Sequence, residues 1–376
     1  MPHRGVTRLL QSVIAGGAVL IVSAQAAAQR LPITYYSTSD GLAHYAVNRI
    51  VRDSHGFLWF CTRDGLSRFD GREFVNWGVD DGLPVGDIND LLETPDGMLW
   101  LATVRGLVRF NPSGRKQNGD AALDRMFTTY IPSDDPRAAR MSSLQRDAAG
   151  TLWIGTAAGL FRAVVARDAV AFTAVDLNIP DVLQARAIGS LRLDRSGALW
   201  IGANARLYRR ESDGHVDVLG EADGIPPESI SRILEDNTGT MWITPIDGGL
   251  LQLANEPLPA RPRVVRRFTS RDGFPPRGAA DLMQDSRGTL WVATAGALVV
   301  MTSDPSMEGG FRLQTIGERE GLRARGLTAL AEDLHGNLWA GVVPYGVAKL
   351  SRSGFTTFNT ADAHTAFMSL VEAQNG

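Results

Sequence analysis

The sequence predicts an all-β protein: a seven-bladed β-propeller of four-stranded antiparallel blades behind an N-terminal export signal. Three observations predict it. The phrase D-x-x-G-x-L-W and close variants of it return seven times, with Thr94 in place of the Asp in the second copy. Its tryptophans (Trp59, Trp100, Trp153, Trp200, Trp242, Trp291, Trp339) are spaced 41 to 53 residues apart and are seven of the eight in the chain. No stretch after the signal sustains a helical apolar period, so short strands must fill each unit.

Each unit opens on an apolar segment such as "VNRIVRD" or "ISRILED". The Asp that follows caps a tight turn through its side chain, and the Gly takes a positive φ without a Cβ penalty. The Trp on the next strand brings a large apolar area to the contact between neighbouring blades. Two residues after it stand Cys61, Ala102, Gly155, Gly202, Thr244, Ala293 and Gly341, mostly small, which implies crowding near the narrow inner part of the ring. Cys61 reads as a buried small hydrophobe, because a reactive thiol needs an exposed, electropositive setting.

A turn then leads to "GLxRF" and to a looser fourth strand, such as "REFVNW" or, in the last unit, "GFTTF". Asp/Glu–Gly turns, as in "SDGLAHY" (39–45), "DDGLPVG" (80–86), "ADGIPPE" (222–228), "RDGFPPR" (271–277) and "REGLRAR" (319–325), should carry one blade's outer strand to the next blade's inner strand. Units three and four lack this turn. Unit three has a polar insertion at 111–126 instead, a candidate recognition loop. Four strands in about 45 residues is the content of a propeller blade, and seven blades close a ring without exposed sheet edges.

The bulk numbers agree. The chain has 376 residues, a formal charge of -3, 44% hydrophobic and 21% charged residues, enough for a large core. Near-neutral charge argues against a nucleic-acid partner. The start, "MPHRGVTRLL", holds Arg4 and Arg8, then an apolar run, then small residues at Ala26 and Ala28 before Gln29. This is the pattern of a cleavable signal over residues 1–28, so export to the periplasm is expected. A single cysteine makes no internal disulfide. The propeller is expected over 29–367. At the end, "SLVEAQNG" (369–376) aligns with "DLLETPDG" (90–97), so residues 368–376 read as the start of a further, truncated repeat.

These phrases resemble the two-component regulator propeller repeat, over roughly residues 34 to 376. The resemblance implies a periplasmic sensor region of a histidine kinase or diguanylate cyclase receptor anchored in the inner membrane. Many members respond to glycans or their fragments. The output domain is absent from this chain, which is read as an N-terminal piece of a longer receptor; a complete one-propeller protein is the other reading.

In such a ring the repeated residues build the scaffold, and function is expected in loops that vary between copies. The turns after the Trp strand and the Asp–Gly connections should share one face. Arg63, Asp64, Arg105, Asn204, Asp247 and Tyr345 are thus expected to converge there with His44, Tyr45 and Asp87. Arg, Asp, Asn and Tyr suit hydrogen bonding and stacking on a small polar ligand or glycan fragment. No nucleophile elbow, H-E-x-x-H, paired Cys or phosphate loop appears, so no catalytic residue, metal or cofactor is assigned. Two other readings stay open. One is a propeller enzyme like the streptogramin lyases, whose D-G-x-L-W-F phrase Trp59-Phe60 echoes. The other is a scaffold for protein contacts, including a homodimer.

Overall fold

The computed structural model describes residues 32–352 except 115–124, 167–168, 180–185, 205, 248, 255–261, 277 and 308. The expected signal (1–28), most of the 111–126 insertion and the tail 368–376 lie outside these residues. The described strands form seven four-stranded antiparallel sheets, the seven blades of the ring. Blade 1 runs from an inner strand (Val47–Arg52) through the Trp strand (Leu58–Thr62) and a third strand (Gly65–Phe69) to an outer strand (Phe74–Trp77). The inner strands of blades 2 to 7 are Ile88–Glu93, Met141–Arg146, Ile188–Leu193, Ile230–Glu235, Ala279–Gln284 and Gly326–Glu332.

One expectation is corrected. The outer strand of blade 7 is Ile33–Tyr36, from the other end of the chain, paired with Gly346–Leu350. The "GFTTF" stretch expected there (354–358) lies outside the described residues. The reason is visible in the sequence: Ile33–Tyr36 stands before the first Asp–Gly turn, as the outer strands of blades 1, 4, 5 and 6 stand before theirs. Tyr36 stacks on Trp339 with ring centroids 5.3 Å apart, which ties the first strand to the last blade. The pairing covers a sheet edge that would otherwise be open.

The D-x-x-G turns form as expected, and the Asp does more than cap. One oxygen of Asp53 accepts from the Phe57 amide at 2.9 Å, while the other accepts from the Trp59 indole N–H at 2.8 Å. The same indole bond recurs from Trp153 to Asp147, Trp200 to Asp194, Trp242 to Asp236, Trp291 to Asp285 and Trp339 to Asp333. A polar tip is thus satisfied while the ring stays buried. Gly56 of the first turn sits at φ 91°, in the left-handed region. The tryptophans pack between blades: Trp59 lies with Leu83, Ile88 and Phe110 of blade 2, and Trp339 with Val47, Ile50 and Phe60 of blade 1.

The inner strands carry a second device. Each shows a register shift after its first residue or two, a bulge that turns the second side chain toward the neighbouring blade. Asn48 donates to the Ile88 carbonyl at 2.9 Å, Asn89 to Met141 at 2.7 Å, and Thr328 to Val47 at 2.6 Å. Ser142 and Ser231 do the same to Ile188 and Ala279. Gly189 holds this place in blade 4, where a Cβ would come 2.8 Å from the Ile230 carbonyl oxygen.

The small slot is crowded as expected. A Cβ at Gly155 would meet Ser143 Oγ at 2.6 Å, and one at Gly202 would meet Ile230 Cβ at 2.9 Å. Cys61 is fully buried, and burial, with Asp90 nearby, pushes its thiol well above the ordinary range. The Asp–Gly connections are short 3-10 turns, such as Val79–Asp81, ending in a left-handed glycine (Gly82, φ 99°). The acid bends back on the chain: Asp81 accepts from the Gly78 amide at 2.9 Å. Asp40, Asp223, Asp272 and Glu320 repeat that bond.

Candidate functional site

Two polar assemblies stand out, one on the channel wall and one on the turn face. The wall assembly comes from the third residue of the inner strands. Asp281 of blade 6 accepts from Arg232 at 2.7 Å and from Arg49 of blade 1 at 3.3 Å. Arg49 also lies 3.4 Å from Asp90 of blade 2. Each Asp bridges to the next blade, Asp90 to the Leu144 amide and Asp281 to the Leu330 amide, both at 2.9 Å. Burial works against the Arg49 charge, but Asp281 and Asp90 outweigh it and raise its pKa. For Arg232 burial dominates, aided by Arg49, and its pKa falls. Sequence reasoning passed over these four residues. Stacking the inner strands in register would have revealed charges in a column that holds Ser143, Ser190 and Ala329 elsewhere.

The turn face carries the nine predicted residues, and the Trp-strand turns do share it with the Asp–Gly connections. The Arg63 amide donates to the Ala46 carbonyl at 3.1 Å, and the Gly65 amide to Gly86 at 2.9 Å. The Val104 amide lies 3.4 Å from the Asp87 carbonyl. These bonds line up His44, Tyr45, Arg63, Asp64, Asp87 and Arg105 in one arc over blades 1 and 2. The arc extends to Tyr345 of blade 7, since its neighbour Gly346 packs on the strand end at Tyr36 and Ser37.

Within the arc, His44 stacks on Tyr45 at 4.3 Å, and its Nδ1 accepts from the Ala46 amide at 3.0 Å. A neutral His44 therefore presents an Nε2–H donor. Tyr45 and Tyr345 are each 44% exposed. Asp87 accepts from Asn48 at 3.0 Å, so part of its role is to hold two blades together. Arg63, Asp64 and Arg105 are exposed.

Two predicted residues do not join this arc. Asn204 is bridged to Ser229, whose hydroxyl donates to its side chain at 2.8 Å. The Asp247 amide donates to Glu228 at 3.2 Å. Both stand over blades 4 and 5, and no hydrogen bond links them to the arc among the described residues. A hollow of about 310 Å³ beside Phe161, Leu177 and Arg186 of blade 3 contains none of the nine.

A family model described as the two component regulator propeller matches residues 82–105, the connection into blade 2 and its Trp strand. No curated protein matches the chain. Among solved structures, the fold is similar to the extracellular domains of two putative hybrid two component systems from B. thetaiotaomicron. One has a TM-score of 0.66 and 20% identity, covering 86% of this chain and 42% of that one. The second has a TM-score of 0.64 and 19% identity, covering 87% and 40%. The chain thus spans about two fifths of those domains. The ring also resembles a catalytically inactive virginiamycin B lyase from Staphylococcus aureus, solved with quinupristin, with a TM-score of 0.63 and 12% identity over 85% of this chain and 98% of that one. At these identities the likeness speaks for the fold.

Proposed function

We propose that this chain is the non-catalytic, ligand-sensing propeller of an exported signal-transduction receptor. It binds a small polar ligand or glycan fragment on the turn face, and an output domain elsewhere in the receptor acts on the signal. The signal-like pattern of residues 1–28, two arginines, an apolar run and small residues before Gln29, supports a periplasmic position. The observation that carries the reading is the arc over blades 7, 1 and 2. Its Arg63 and Arg105 side chains are exposed and form no ion pair among the described residues, beside two half-exposed tyrosine rings. The turn aspartates of the opposite face, in contrast, are engaged by their own loops and tryptophans. The match to a regulator propeller repeat and the likeness to sensor domains support the same reading.

The test is thermal shift against a panel of oligosaccharides. A ligand that binds only the folded state raises its melting temperature. The expected result is a shift with at least one sugar that disappears in Arg63→Ala/Arg105→Ala. An unchanged shift in that variant would move the site off this face, and no shift across the panel would count against sugar sensing.

A further inference from the structure

The arc reaches further than the nine residues predicted for it. The Arg325 amide donates to the Val343 carbonyl at 3.1 Å, which sets the connection into blade 7 against the turn that carries Tyr345. Tyr35, on the closing strand, fastens that connection from the other side. Its hydroxyl donates to the Gly321 carbonyl at 3.0 Å and accepts from the Arg323 amide at 2.6 Å. Its ring meets Tyr345 edge-on at 6.5 Å. Arg323 and Arg325 are therefore held beside Tyr345, both exposed. Like Arg63 and Arg105, neither is in an ion pair with a carboxylate among the described residues.

Arg323, Arg325, Tyr345, Tyr45, His44, Arg63, Asp64, Asp87 and Arg105 thus form one band. The band holds four exposed guanidinium groups and two carboxylates, one of which, Asp87, already holds Asn48, while Asp40, Asp81 and Glu320 of the same connections bend back on their own turns. This local excess of positive charge sits in a chain whose formal charge is -3. Over blades 4 and 5, Glu228 stands where Arg325 stands at the seam of closing strand and blade 7, Asp247 matches Asp64, and Arg206 is the exposed arginine of the blade 4 turn. The seam therefore gathers four exposed arginines on adjacent turns, where blades 3 and 4 carry Arg140 and Arg206 singly. Exposed Arg forks pair with carboxylates in a two-pronged geometry, and exposed tyrosine rings offer stacking surfaces.

We infer that the band selects an acidic oligosaccharide, one bearing carboxylates, and holds it across the seam where the first strand closes the last blade. This rests on the sensing role proposed above and adds the ligand's charge and its place. Two of its cations and Tyr345 belong to blade 7, whereas His44 and Tyr45 follow the closing strand and Arg63 belongs to blade 1. A ligand touching both sides resists the opening of that seam. Such binding weakens with salt, because exposed charges are screened.

The test uses a uronic acid trisaccharide and its carboxyl-reduced neutral counterpart, with affinity read by calorimetry and seam opening by hydrogen exchange. The acidic sugar should bind at least tenfold more tightly, weaken with added salt, and slow exchange at Ile33–Tyr36. Arg323→Ala/Arg325→Ala should weaken it at least tenfold with an unchanged ligand-free melting temperature, while Arg206→Ala on blade 4 leaves binding as it was. Equal affinity for the two sugars, no binding of the acidic one, or full binding by the Arg323/Arg325 variant would overturn the inference. If the neutral sugar binds and depends on Arg63 and Arg105, the sensing role stands and only the acidic, seam-spanning ligand falls.

Discussion

The two faces of the ring are built from the same number of blades, yet they use their polar side chains differently. On the D-x-x-G face each acid answers to a partner close in the fold. Asp236 alone accepts from the amides of Thr238 and Thr240 and from the Trp242 indole. Glu93 reaches across from blade 2 to the Ser54 amide at 2.7 Å, and Glu332 does the same to Ser286 at 2.8 Å. On the turn face the backbone bonds are just as regular, but the side chains of Arg63, Arg105, Arg323 and Arg325 project outward. These turns are held by their backbone and by a buried threonine at the end of the Trp strand, such as Thr62 and Thr103, which leaves the residues at the tip free to vary. In the D-x-x-G turn the stabilising acid and glycine are themselves the turn, so they are not free to vary. That is why the first face repeats and the second differs from blade to blade.

The comparison can be broken at several places. The largest effect is expected at the contact beneath the D-x-x-G face: Trp153→Ala should lower stability by about 3–5 kcal/mol, as for other buried aromatic truncations. Denaturant unfolding measures it, and a near-neutral result would contradict the inter-blade role. Next, Asp236→Ala strands the fully buried Trp242 indole N–H and two loop amides. A loss of roughly 1–3 kcal/mol is expected for unsatisfied buried donors. Unit two offers an internal check, since Thr94 stands where the acid would be and bonds the Met98 carbonyl instead.

The third prediction concerns pH. For Asp285 burial raises the pKa, but bonds from Trp291 and Arg352 outweigh it and hold the carboxyl below its usual range. Asp333 behaves alike, with burial offset by Trp339 and Asn337. A carboxyl whose folded pKa is depressed contributes stability above its unfolded pKa, near 3.9, and loses it as pH falls through the folded value. Unfolding midpoints should therefore fall on acidification below about pH 4, and Asp333→Asn should flatten that slope. The smallest effect belongs to the turn face. Without ligand, Arg63→Ala/Arg105→Ala should stay within about 0.5 kcal/mol of the parent, as for surface changes away from structural features. A larger loss would mean that these arginines also serve the scaffold.

Much of this was legible in the sequence, and the reason is locality. The D-x-x-G turn, its left-handed glycine, the Asp–Gly connection and the small slot after each Trp are set by residues a few positions apart, so seven copies spell them out. The face that holds Arg63, Asp64, Arg105, His44, Tyr45 and Asp87 followed from strand order alone. The indole bond to the turn Asp spans only six residues, so it too is local to each repeat. Asn204 and Asp247 stand on the same kind of turn but on the far side of the ring, because their repeats are three and four places from the first and a shared face does not bring distant blades together.

The sequence by itself determined the blade, its four strands and the turns between them, since each depends on φ/ψ preferences and short-range bonds. The tertiary structure decided how the ring closes and what lines its centre. Ile33–Tyr36 joins Gly346–Leu350 because a ring of seven places the first strand beside the last blade. Arg49 meets Asp281 across 232 residues of chain for the same reason. Such pairings depend on the number and tilt of the blades, quantities to which every interface contributes and which no single repeat contains.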